Sequence, residues 1–151
     1  MLKIVIAVLI IALDQLTKLW IIHNFNYQDN FSVTSFFKLV HFQNTGAAFS
    51  FLHDASGWQN IFFVTLSILI LIYLFYLYKK LKDVFPAWLS LLLIMAGAVG
   101  NLIDRIRIGH VTDFIYLHYN DFYWPAFNVA DSAICLGALL YLYSLGKGQI
   151  K

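Results

Sequence analysis

The chain has 151 residues, 61% hydrophobic and only 12% charged, with a formal net charge of +2. That composition excludes a soluble domain with a charged surface. The small charge, with no long basic patch, excludes nucleic acid as a partner. A lone cysteine, Cys135, excludes an internal disulfide and a multi-cysteine metal site, and it reads as a small packing residue in an apolar run.

Four apolar segments follow one another, at residues 2–22, 58–78, 85–103 and 127–145. Each approaches the ~20 residues that a helix needs to cross about 30 Å of hydrocarbon. Lipid gives the backbone nothing to bond with, so such segments are expected to be helices. The fold class expected is an all-α membrane protein with four transmembrane helices. With no repeat and no linker it forms one domain over residues 1–151. Lys3 before the first apolar run gives it the look of a cleavable signal. Asp14, Lys18 and Trp20, however, stand where small cleavage-site residues belong, so the helix is expected to be retained.

Charge sets the orientation. "KKLKDVFP" between the second and third segments and "GKGQIK" at the C-terminus belong on the cytoplasmic side, which places both termini there. Asp14, Asp29, Asp54, Asp104, Asp113, Asp121 and Asp131 then lie at or beyond the outer half of the membrane, and only Asp83 lies inside. Residues 23–57, the first outer connection, are rich in β-branched and aromatic residues around a Thr45-Gly46 turn and are expected to form short strands. Residues 107–126, the second, carry "FIYLHYNDFYWP", which suits the headgroup level. Both connections are expected to lie on the membrane surface.

The polar residues left in this apolar chain are the candidates for chemistry. Asp14 and Lys18 share a helix face about 6 Å apart along the axis. Taken alone they read as a mutually neutralising pair, but their depth points them at the bundle interior. Asn44 beside Gly46 reads as a turn, or as an amide that holds a peptide group. In "AGAVGNLIDRIRIG", Gly97 and Gly100 permit close approach, Asn101 and Asp104 share a face, and Arg105 on the outer side needs a partner, for which Asp104 and Asp14 are the candidates. Asn128 is a natural N-cap with Asp131 completing a capping box.

Capping leaves Asp113 unexplained. A connection pinned by Pro125 and apolar at both ends can bring Asp113 and Asp131 to one bundle mouth. Two carboxyls sharing a site hold a proton between them near neutral pH. One can then deprotonate water while the other protonates a carbonyl oxygen or leaving nitrogen, which is peptide hydrolysis without metal, cofactor or covalent intermediate. His23, His41, His53, His110 and His118 show no metal-ligand spacing, and Ser132 has no base that the sequence points to. Two rivals stay open on these residues alone: a small transporter with a proton relay through Asp14, Asp113 and Asp131, and a scaffold whose aspartates only cap helices.

The ordered set "DQLTK", "NTGAAF", "GNLIDR", "GHVTDF" and "FNVADSA", spanning residues 14–133, closely resembles bacterial lipoprotein signal peptidase, or signal peptidase II. The resemblance implies an intramembrane aspartyl peptidase of the inner membrane that removes the signal peptide of a prolipoprotein before a diacylglyceryl-modified cysteine. Asp113 and Asp131 match the catalytic dyad. Asp14, Lys18, Asn44, Gly46, Asn101, Asp104, Arg105 and Asn128 match positions that shape the site or hold substrate. It further implies a small β-sheet cradle in the first outer loop, a short interfacial helix in the second, a monomer in contact with membrane lipid, and sensitivity to globomycin-type inhibitors, with Asn44, Arg105 and Asn128 as contacts.

Overall fold

The computed structural model describes residues 1–46 and 58–150. Four long helices form where the apolar segments lie: α1 (Leu2–Asn24), α2 (Trp58–Leu81), α3 (Ala87–Ile108) and α4 (Val129–Gly146). All four are long and apolar enough to span a membrane. The central helix is α3, which packs against the other three. Half of its most apolar stretch is buried, against 6% for α2, so α2 stands at the edge with its apolar faces open to lipid.

Glycine lets the helices meet closely enough to bury charge. A Cβ on Gly100 would lie 2.6 Å from the Asp14 carboxylate, and one on Gly97 would run into the Ala130 carbonyl. The small residues of "AGAVGN" therefore admit a carboxylate of α1 and the backbone of α4 to the face of α3.

The sheet sits at one end of the bundle, between the C-termini of α1 and α3 and the N-termini of α2 and α4. It is antiparallel, in the order β1 (Asn30–Ser32), β2 (Phe37–Asn44), β3 (Val111–Tyr119), β4 (Phe122–Tyr123). The register of β2 on β3 runs Phe37↔Leu117 to Leu39↔Ile115, slips at Val40–His41, and resumes at Phe42↔Asp113. That slip is a bulge, which bends β2 over the bundle mouth.

The strands expected in the first connection are present. In the second, the structure corrects the expected interfacial helix: Val111–Tyr119 is a strand, and the outer connections contain no helix among the described residues. The physical reason is local. "VTDFIYLHY" is β-branched and aromatic, and the edge of β2 offers it backbone partners that an interfacial helix would have to find within itself. Ala47, Ala48 and Phe49 of "NTGAAF", with His53 and Asp54, lie outside the described residues.

Candidate active site

Two backbone devices bring the carboxylates together. Gly109, at φ 80°, ends α3 in the left-handed conformation and turns the chain into β3, on which Asp113 lies. After the β3–β4 hairpin the chain returns to pair Phe127 with Ile115 through hydrogen bonds of 2.8 and 3.0 Å. Asn128 therefore starts α4 directly beside Asp113.

Asn128, fully buried, joins the pair. Its side-chain oxygen accepts the Asp131 N–H at 2.9 Å, and its own N–H donates to Asp131 Oδ2 at 3.2 Å, completing the expected capping box. Its side-chain NH2, pointed the other way, donates to Asp113 Oδ1 at 2.7 Å. Asn44 donates to Asp113 Oδ2 at 3.0 Å while its oxygen accepts the Gly46 N–H at 3.1 Å. Asn101 donates to Asp131 Oδ1 at 2.8 Å. Capping and pairing are thus not alternatives for Asp131, which does both.

No cation lies in hydrogen-bonding contact with either carboxylate among the described residues. Burial, and secondly the charge of Asp131, push the Asp113 carboxyl up to about 7, although the amides of Asn44 and Asn128 and the charge of Lys18 pull the other way. Both carboxylates open on a cleft of about 660 Å3 that Asn44, Asn101 and Arg105 also line. Its other walls are apolar, from Trp124 to Phe127 on the connection and from Ile134 to Leu139 on α4. A buried carboxyl with a raised pKa and a second carboxyl nearby, beside an apolar cleft with amide donors, suit acid-base attack of water on a peptide bond.

The remaining predicted residues gather behind the dyad. Lys18 pairs with Asp14 and Asp104 at 2.9 Å each, and all three are almost wholly buried. Asp14 also accepts the Ala130 N–H at 2.8 Å, and Asp104 accepts the Thr112 N–H at 3.3 Å, so the cluster holds the start of α4 and of β3. The partners expected for Arg105 are therefore taken by Lys18, which sits across the α1–α3 seam from Asp104. Arg105 instead donates to the Gly46 carbonyl at 3.0 Å and lies 5.4 Å from the centre of the Phe63 ring.

Of the residues matched to substrate contacts, Asn44, Asn101 and Arg105 reach the cleft, whereas Asp14, Lys18 and Asp104 lie behind it. Sequence reasoning missed Gln15, which donates to Asp104 at 3.0 Å and to Asp14 at 3.2 Å and accepts from Arg107 at 3.3 Å. An amide next to an aspartate in an apolar helix was the available signal. It also missed Thr112, whose backbone links Asp104 to Asn128; nothing in its side chain announces that role.

The chain is similar to known proteins over most of its length. The family model for signal peptidase (SPase) II matches residues 6–146. The lipoprotein signal peptidase of Janthinobacterium sp. (strain Marseille) is 49% identical over 138 residues, covering 91% of this chain and 84% of its own. That of Pseudoalteromonas atlantica is 44% identical over 145 residues, covering 95% and 88%. A bacterial membrane enzyme solved by the in meso method at 2.3 Å resolution superposes with a TM-score of 0.85 at 36% identity, covering 96% of this chain and 87% of its own. A second, at 1.9 Å resolution, gives a TM-score of 0.80 at 35% identity, covering 95% and 91%. With these matches over nearly its whole length and four membrane-length helices, the chain belongs to the signal peptidase II family and is a multi-pass membrane peptidase.

Proposed function

We propose that this lipoprotein signal peptidase is an aspartyl endopeptidase that cleaves diacylglyceryl-modified prolipoproteins just before the lipidated cysteine, with Asp113 and Asp131 as its catalytic residues. The observation that carries the reading is the pair itself: the buried Asp113 and the half-buried Asp131 tied together through Asn128, with no cation bonded to either among the described residues, opening on an apolar cleft. A water oxygen bonds to the scissile carbonyl carbon. The ionised carboxylate takes its proton, while the neutral one protonates the carbonyl oxygen. When the C–N bond breaks, the nitrogen takes the first carboxyl's proton and a gem-diol hydroxyl returns one to the second. The dyad ends as it began, with one proton.

Orientation follows from charge. Lys3, Lys79, Lys80, Lys82 and Lys147 lie at the end opposite the sheet, so that end, with both termini, faces the cytoplasm of a bacterial inner membrane. The dyad then lies near the outer face, where a lipidated cysteine keeps its acyl chains. Asn44 and Arg105, at the cleft mouth, serve as contacts for the substrate main chain and for a globomycin-type cyclic peptide. The protein acts as a monomer in lipid.

The test is cleavage of a diacylglyceryl-modified prolipoprotein by purified protein, comparing wild type with Asp113→Asn and Asp131→Asn. Cleavage by the wild type alone, from samples that are all folded, is the expected result. Normal cleavage by either variant would remove the dyad from the mechanism.

A further inference from the structure

Lys18 is 1% exposed, and an ammonium has three N–H donors and no acceptor. All three are committed: to Asp14 Oδ2 at 2.9 Å, to Asp104 Oδ2 at 2.9 Å and to Asn101 Oδ1 at 2.8 Å. On its far side is a space of about 10 Å3 lined by Gln15, Asp104 and Arg107. That is room for about one water. Substrate therefore does not reach this ammonium from either side.

The third bond decides the polarity of Asn101. Because an ammonium cannot accept, the amide oxygen must face Lys18 and the NH2 must face Asp131, where it donates to Oδ1 at 2.8 Å. Without the cation the amide can rotate by half a turn and offer its oxygen to a protonated Asp131 instead. Asp113 also receives two amides, from Asn44 and Asn128, but their polarity is set by neutral backbone N–H groups, of Gly46 and Asp131. Among the described residues, a full charge sets the polarity of the amide at only one of the two carboxylates.

We propose, on the aspartyl reading above, that Lys18 is a positioning residue for hydrolysis: by fixing the polarity of Asn101 it holds Asp131 as the ionised carboxylate that takes the proton of water, and it leaves the shared proton on Asp113. The charges around Asp131 are Asp113 from β3, Lys18 and Asp14 from α1 and Arg105 from α3. Arg105 attracts both members of the dyad, Asp131 more than Asp113, and so acts in the same sense as Lys18. The Asp14 charge is bonded directly to Lys18. Asp113 as the acid agrees with its carboxyl standing at about 7.

Asn101→Leu separates this role from a purely structural one, because it leaves Lys18 bonded to Asp14 and Asp104. The full chain in lipid is assayed on prolipoprotein from pH 5 to 9, resolving kcat and KM, with Lys18→Met and Asp131→Asn alongside. Expected for Asn101→Leu is a kcat lower by the ~10- to 100-fold that follows loss of a group orienting a reacting residue, with KM within about twofold. The acidic limb of its pH profile moves to higher pH, because the ionised form of Asp131 has lost a donor. Lys18→Met gives the same displacement; where that variant does not fold, Asn101→Leu decides. An acidic limb left in place while kcat scales uniformly, or a raised KM at unchanged kcat, overturns the positioning role. If the wild type does not cleave, or Asp131→Asn does, the aspartyl reading itself fails and takes this inference with it.

Discussion

The bundle treats two pairs of carboxylates in opposite ways. Asp14 and Asp104 share one ammonium, bind the backbone N–H groups of Ala130 and Thr112, and lie away from the cleft. Among the described residues Asp113 and Asp131 receive side-chain amides and one backbone N–H, and they open on the cleft. Attraction in the first pair fixes helices to each other. In the second, burial first and the charge of Asp131 next push the Asp113 carboxyl up to about 7, where it can give and take a proton near neutral pH. Among the described residues the difference lies in which pair the buried Lys18 joins, and it teaches that a carboxylate left without an ion-pair partner is the one suited to exchange a proton.

Removing a carboxylate from the reactive pair is expected to have the largest effect and to fall on activity alone. Asp113→Asn or Asp131→Asn loses about 10³-fold or more in cleavage while the thermal transition persists. The mirror experiment strikes the paired region. Lys18→Met leaves two carboxylates buried without a cation, which destabilises by about 3–5 kcal/mol and is read as a lower thermal transition in detergent. Apolar replacement of the whole cluster (Asp14→Leu, Lys18→Met, Asp104→Leu) recovers part of that loss. It does not recover all, because the Ala130 and Thr112 N–H groups lose their acceptors. A triple variant as unstable as Lys18→Met would show that the ion pairs were not the source of the loss.

The comparison also predicts how activity depends on pH. Asp113 is raised from the usual carboxylate range to about 7, so its acid form prevails below that value and is lost above it. Acting as the acid, it makes kcat fall about tenfold per unit once the pH is well above 7. Measuring kcat from pH 5 to 9 in lipid checks this. A kcat that stays flat to pH 9 would require another group to supply the proton.

How much of this arrangement was legible in the sequence differs by region. The four helices were, because length and apolarity alone decide them in lipid. Asp14 and Lys18 were placed facing inward by depth and spacing, and Asn128 with Asp131 as a capping box by local chemistry. The joining of Asp113 to Asp131 was open to the sequence as one possibility of the Pro125-pinned connection and was chosen over its rivals only by the ordered motifs, because it depends on the bridge between Ile115 and Phe127, a pairing that no local pattern announces. The second outer connection was misread for a related reason: "VTDFIYLHY" becomes a strand because the edge of β2 is there to receive it, which is a tertiary fact. The partner of Arg105 was misassigned because two cations compete for Asp104, and only the α1–α3 packing decides for Lys18.

The smallest predicted effect tests whether the turn that delivers Asp113 acts through conformation or through packing. Gly109 lies at φ 80°, with its N–H bonded to the Arg105 carbonyl at 3.2 Å, and a Cβ built there meets nothing within 4 Å. Gly109→Ala therefore meets only the backbone penalty of a left-handed L-residue, about 1 kcal/mol. A few degrees lost from the thermal transition with kcat nearly unchanged is the expected outcome, because β3 remains held by its register on β2 and by the Thr112 N–H on Asp104. A large fall in kcat at wild-type stability would mean that Asp113 is positioned by the turn itself rather than by the strand. The comparison would then need a third region, since the geometry of the reactive pair would rest on a single glycine.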